Sequence, residues 1–260
     1  MKPLKLSMVV CSYNQAPFLR QALASLVTQC NVSREELEII VIDGGSTDGS
    51  PEIIRSFEPY LTYWVSEPDR GQSHALRKGF DRSTGDIQGW LCSDDLLEPH
   101  ACRAALDYFR AHPEVRCFYG DARLVDERDH LIKAKKEIPF NWFIWRYDYN
   151  YLPQPSTFWR KDLYDQVGGV EESLHVCMDG DLWARFAEVT RIEHLPVVLS
   201  RMRVQKEQKT QRLQQEGLLV QNRITSRYGV RHDRVLRTKA AFVLAKTMRV
   251  GWKAATGCYW

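Results

Sequence analysis

Paired cysteines are missing from this 260-residue chain: its seven are odd in number, scattered, and include no Cys-x-x-Cys. That pattern argues against a disulfide framework and for a reduced, cytoplasmic compartment. Long hydrophobic runs are missing too. No stretch approaches the roughly 20 apolar residues needed to cross a bilayer, and the run within Met1 to Val10 is too short for a secretory leader. The expectation is a protein that can touch a membrane without crossing it. Neither Gly-x-Gly-x-x-Gly nor Gly-x-x-x-x-Gly-Lys-Ser/Thr occurs, which excludes the dinucleotide fingerprint and the P-loop. The seven histidines show no close metal-ligand spacing, and no internal repeat or low-complexity linker interrupts the chain.

Acidic residues are scarce in one place only. Residues 201–260 carry 14 Lys and Arg against 3 Asp and Glu, a balance of +11 that leaves −8 on the remainder behind a formal net charge of +3. A basic tail on an acidic body points to an anionic partner for the tail. With 44% hydrophobic and 27% charged residues the whole is a folded protein, not a disordered or fibrous one.

Short Val, Ile and Leu runs alternate with amphipathic stretches over the first 120 residues, the pattern of a buried parallel sheet with crossover helices. Strands are expected at 6–11, 38–42, 61–66, 87–91 and 115–119, and helices at 17–29, 51–57, 72–80 and 99–112. Beyond Gly120 the rhythm predicts two short strands in 122–136, an aromatic-rich stretch over 140–151, a helix at 179–189 and a strand at 197–202. Two basic helices, 206–228 and 234–253, should pack on the body. Residues 1–205 then form one α/β unit, with a nucleotide-binding half to residue 120 and an acceptor-binding half after it, and 206–260 form a basic helical extension.

In an open parallel sheet, ligands bind beyond the carboxyl ends of the strands. Four consecutive expected strands end there in polar clusters: Ser12-Tyr13-Asn14-Gln15, Asp43-Gly44-Gly45-Ser46, Glu67-Pro68-Asp69-Arg70-Gly71 and Cys92-Ser93-Asp94-Asp95. Each alone is also good turn chemistry. Asp43 is suited to a donor-rich nucleobase or ribose and not to a phosphate. Asp94 and Asp95 can hold a hard divalent cation through oxygen, or can cap the helix that follows.

With Thr84-Gly85-Asp86, Gln154-Pro155-Ser156-Thr157, Val167-Gly168-Gly169 and Met178-Asp179-Gly180-Asp181, these clusters resemble, in order and spacing, the motifs of family 2 glycosyltransferases of the GT-A fold. The resemblance spans about residues 5–203 and leaves out most of the tail. It implies an α/β fold with a mixed, mainly parallel sheet flanked by helices. It also implies inverting transfer from a nucleotide diphosphate sugar, most readily a UDP-sugar, to a glycan or lipid-linked acceptor in cell-surface polysaccharide assembly. By position, Ser12, Tyr13, Asn14, Gln15, Asp43, Gly44, Asp69 and Gly71 would surround the nucleoside. Ser93, Asp94 and Gln154 would lie nearer the diphosphate and sugar, Asp94 and Asp95 would hold Mn or Mg, and Asp179 would be the general base. Two departures stand out: Cys92 replaces an acid or Asn common in the family, and Arg203-Val204-Gln205 replaces Arg-x-His.

The chemistry suits the residues. A carboxylate makes the acceptor hydroxyl more nucleophilic, a cation neutralises the leaving diphosphate, and no second carboxyl acid is needed. Asp181, two residues beyond Asp179, is expected to orient or cap, and Asp179 itself could instead complement the helix dipole. The aromatic stretch is read as core and lid packing, with sugar stacking as the alternative, and only His175 is placed near the acceptor. The tail has three readings: an amphipathic helix on an anionic membrane, a helix packed on the acidic body, or a dimer contact; nucleic acid is disfavoured for want of a motif. A sugar-phosphate nucleotidyltransferase or an idle nucleotide-sugar binder are the competing functions. The first lacks its Gly-rich basic loop, and the second does not need Asp94, Asp95 and Asp179 together.

Overall fold

The computed structural model describes residues 4–205 and 208–258. Among them, nine strands form one sheet: β1 (Leu6–Ser12), β2 (Leu37–Asp43), β3 (Tyr63–Ser66), β4 (Ile87–Cys92), β5 (Leu96–Leu97), β6 (Cys117–Val125), β7 (Leu131–Lys135), β8 (Thr157–Arg160) and β9 (Ile192–Arg203). The helices are α1 (Ala16–Val27), α2 (Ser50–Phe57), α3 (Gln72–Arg82), α4 (Ala101–Ala111), α5 (Trp142–Tyr147), α6 (Lys161–Gln166), α7 (Met178–Val189), α8 (Lys209–Arg212), α9 (Gln214–Arg227) and α10 (Val235–Ala255). Strand order is β3-β2-β1-β4-β8-β6-β9-β5, with β7 on β6. The first four are parallel neighbours, and antiparallel pairing enters with β8.

Strand periodicity divides the core. Val9, Cys11, Ile40 and Ile42 face one cluster with Leu76 and Phe80 of α3 and Trp183 of α7, whereas Met8, Val10, Ile39 and Val41 face the other with Leu19 and Leu23 of α1 and Leu106 and Phe109 of α4. Both faces are covered, so β1 is buried along its whole length. The approach of α3 is close enough that a Cβ on Gly79 would lie 2.4 Å from Val9 Cγ1. At the amino edge of the sheet, buried Glu38 accepts from Thr84 N and Oγ1 (both 2.8 Å) and pairs with Lys5 (3.0 Å), while Gly85 N donates to Ser7 Oγ (2.8 Å). The Thr84-Gly85-Asp86 motif is thus a structural tie at the edge opposite the polar clusters.

The early elements lie where the apolar runs place them, and the later half departs in instructive ways. β3 begins at Tyr63 because Glu58–Tyr60 form a 3-10 turn. β6 runs through Gly120 without a break, its register against β9 shifting on both sides of Asp121. β8, four residues between β4 and β6, is too short for periodicity to reveal, and β9 extends five residues upstream of its expected start because it follows β6. The first tail helix is divided at Leu213 into α8 and α9; its expected start at Lys206 lies outside the described residues.

The tail is packed on the body. Arg227 of α9 pairs with buried Asp181 (2.9 Å), whose other oxygen holds Arg185 (2.7 Å), so Asp181 clamps α9 to α7. Arg146 of α5 donates to Tyr228 O (2.9 Å), and the Tyr228 ring meets Trp142 edge-on. The aromatic stretch is therefore largely packing: Trp142 stacks on Trp145, which is fully buried.

Candidate active site

The carboxyl ends of β1 to β4 meet in one polar rim. After β1, Asn14 takes up a left-handed conformation (φ 50°), which only a few residue types tolerate, and there its N donates to Ser46 Oγ (2.8 Å) and its Oδ1 accepts from Thr47 N (2.9 Å). Ser12 Oγ, at the end of β1, is buried and has no hydrogen-bond partner, while the Tyr13 side chain stands exposed on the rim. Asp43 is enclosed: it accepts from Ser46 N (2.9 Å), Ser46 Oγ (2.5 Å) and Ser66 Oγ (2.6 Å). Its carboxylate thus shapes the loop after β2 and does not face open solvent. Asp69 takes the outward place, lying so close over Gly44 that a Cβ there would sit 2.8 Å from its Oδ2, and accepting from Gly71 N (2.6 Å).

Beyond β4, Cys92, Asp94 and Asp95 bring a sulfur and two carboxylate oxygens within 4.8 Å of one another. The donor set fits a divalent cation, with oxygens for a hard ion and one softer atom. The end of β9 holds it in place. Arg203, buried to 1% exposure, donates from N to Asp95 Oδ1 (2.9 Å) and from Nε to Asp94 O (2.9 Å), and its guanidinium continues to Glu127 O (2.8 Å) and Gln21 Oε1 (2.7 Å). Gln205 donates to Asp94 Oδ2 (2.8 Å) and reaches Gln15 Oε1 (3.4 Å), which joins the first loop to the acidic pair. Burial, with Asp94 beside it, pushes the Asp95 carboxyl well above the usual carboxylate range. Buried Ser93 lies between these groups.

Cys92 is a junction. It accepts from Gln72 Nε2 (3.4 Å) and donates to Gln154 Oε1 (3.5 Å), while Gln154 Nε2 donates to Trp90 O (2.9 Å). Gln154 is thereby brought to the acidic pair. Burial pushes the ammonium of Lys209 in α8 down, against the pull of Cys11, Cys92, Glu216 and Asp69.

Asp179 opens α7 apart from this network. Half-buried, it accepts from Asn150 Nδ2 (2.9 Å) and from the amides of Gly180 and its own residue; burial outweighs these bonds and pushes its carboxyl up. Two contacts tie its helix to the rim. Trp183 stacks on Trp90 of β4 with centroids 5.8 Å apart, and the segment before α7 lies along α3, where Ser73 Oγ donates to Leu174 O and His175 borders Gly71.

A model of glycosyl transferase family 2 matches residues 7–168, more than half of the chain. The chain belongs to that family. Among curated relatives, this family 2 chain is 27% identical over 184 residues to an uncharacterized glycosyltransferase of Mycobacterium tuberculosis, covering 70% of this chain and 69% of the relative. It is 25% identical over 196 residues to the chondroitin synthase of Escherichia coli, covering 73% of this chain and 27% of that enzyme. The chain spans well under two thirds of the length of several curated relatives that it matches. Its fold is the GT-A type. Staphylococcus aureus TarS 1-349, solved in complex with UDP, superposes with a TM-score of 0.68 at 17% identity, over 92% of this chain and 71% of TarS. The mannosyltransferase PcManGT of Pyrobaculum calidifontis, solved with GDP-Man and Mn2+, superposes with a TM-score of 0.67 at 19% identity, over 97% of this chain and 75% of that one.

Sequence reasoning missed Arg203, Gln72, Asn150 and Lys209. Arg203 and Gln205 did carry a signal, as the Arg-x-Gln departure from Arg-x-His. Nothing in the spacing marks Asn150, and Lys209 is one base among many in the tail.

Proposed function

We propose that this chain transfers a sugar from a nucleoside diphosphate donor, a UDP-sugar first among them, to a hydroxyl of a glycan or lipid-linked acceptor, with inversion at the anomeric carbon. The observation that carries this is the Cys92, Asp94 and Asp95 donor set, held by Arg203 and Gln205 at the edge where four parallel strands deliver their loops. Mn or Mg bound there would neutralise charge on a leaving diphosphate. Lys209 adds a cation on the same rim.

In this reading Ser12, Asn14, Asp69 and Gly71 meet the nucleoside, and Tyr13 covers it. Asp43 acts through Ser46 to keep the loop after Gly44 in shape. The unpartnered Ser12 hydroxyl is consistent with a ligand group completing it, since a buried polar group left alone costs about 1 to 3 kcal/mol. Gln154 faces the sugar, and Asn150 orients Asp179 to take the acceptor proton. One base and one displacement invert the centre.

The test is a panel of nucleotide sugars with Mn, scored by thermal shift and released nucleotide. A donor at 100 times its Kd should stabilise the fold by about 2.7 kcal/mol. Absence of both a shift and turnover across the panel would overturn the donor assignment.

A further inference from the structure

Helix α10 is turned inside out relative to an ordinary surface helix. Its inward line, Ala241, Ala245, Arg249 and Lys253, recurs every four residues and is small or charged. Arg249 pairs with Asp148 (2.5 Å) and Lys253 with buried Glu137 (2.7 Å), so the helix is held to the body by ion pairs. Several of its apolar residues point the other way. Leu236, Val243 and Val250 recur every seven residues on the outer side; Leu236 is 85% exposed and Val243 60%. Arg237, Lys239 and Lys246 flank that stripe in solvent, and α10 contains no Asp or Glu.

We propose that this outer face docks on an anionic lipid surface, with Leu236, Val243 and Val250 entering the acyl boundary and Arg237, Lys239 and Lys246 meeting headgroup phosphates. Charge selects this occupant over a second copy of the chain. Two α10 helices laid face to face would oppose basic flanks with no acid on either helix to relieve them, whereas an anionic surface supplies the missing sign. No helix among the described residues is long and apolar enough to cross a membrane, so this is docking at a surface. Docking draws on no residue of the donor site and stands independently of the donor reading. It does bear on the acceptor: the loop that anchors α10 through Asp148 also carries Asn150, the partner of Asp179.

The experiment is co-sedimentation of the full chain with phosphatidylcholine vesicles, with and without phosphatidylglycerol, beside sedimentation equilibrium without lipid. Binding is expected only with phosphatidylglycerol and should fall as salt is raised. Lys239→Ala and Lys246→Ala should each weaken partitioning about fivefold. The double variant Leu236→Asp, Val243→Asp should weaken it at least tenfold, roughly the effect of withdrawing two apolar side chains. Because these side chains point outward, the double variant should keep the wild-type helix content and melting temperature, which separates lost docking from lost folding. Equal binding to both vesicle types, no binding by the wild-type chain, or undiminished binding by the double variant would overturn the proposal. So would a wild-type dimer that the double variant converts to monomer.

Discussion

At the scale of single residues, half-buried Asp179 and buried Asp95 are both acids pushed upward, and their environments differ. Asp179 is held by Asn150 and by backbone amides at the start of a helix. Its replacement by Asn should lower kcat by about 10²- to 10⁴-fold with little change in donor Kd, measured by single-turnover transfer and by titration of a nucleoside diphosphate. The sign of the pH effect follows from the raised pKa. A base works only when deprotonated, so transfer should fall as pH drops, beginning above the ordinary Asp range rather than within it. A pH profile whose acidic limb lies at the usual Asp value would contradict the assignment. For Asp95, Mn should raise the melting temperature of the wild type, and Asp95→Asn should leave a folded protein without that rise.

Elements carry a second kind of prediction. Asp181 is 1% exposed and pairs with Arg185 and Arg227, the latter half exposed. Removing the acid leaves Arg185 without its main partner, so Asp181→Ala should cost about 3 kcal/mol or more, whereas Arg227→Ala, at the wet end of the clamp, should cost about 1 kcal/mol or less. Urea unfolding of the two variants distinguishes these outcomes. The legibility of elements follows the same physics. β1 and β2 are rich in Val, Ile and Leu and buried on both faces, so their apolar pattern announces them. β8 and β5 are four and two residues long, positioned by neighbours distant in sequence, and leave no periodic trace. The rim was legible because turns need Gly, Asp and Asn at strand ends. Its inner order was not: that Asp43 turns inward to Ser46 and Ser66 while Asp69 turns out over Gly44 depends on which loops meet in three dimensions.

For the whole molecule, the contrast between a −8 body and a +11 tail is partly settled within the fold. Asp181, Asp148 and Glu137 of the body hold Arg227, Arg249 and Lys253 of the tail. Cutting the chain before α10 would leave Glu137 with only Lys135, and Asp148 without Arg249. A chain ending at residue 229 should therefore melt lower than the full chain, which differential scanning calorimetry reads directly. Arg237, Lys239 and Lys246, which flank the apolar stripe, are among the basic groups that remain outside.

A helix held by its charges leaves its greasy side free to be rewritten. Polar replacements along Leu236, Val243 and Val250 remove little that folding uses, so they should change how the protein behaves in a tube before they change how it melts. Such a variant should stay in the supernatant when the parent chain sediments with anionic vesicles, and the two should show superimposable thermal transitions.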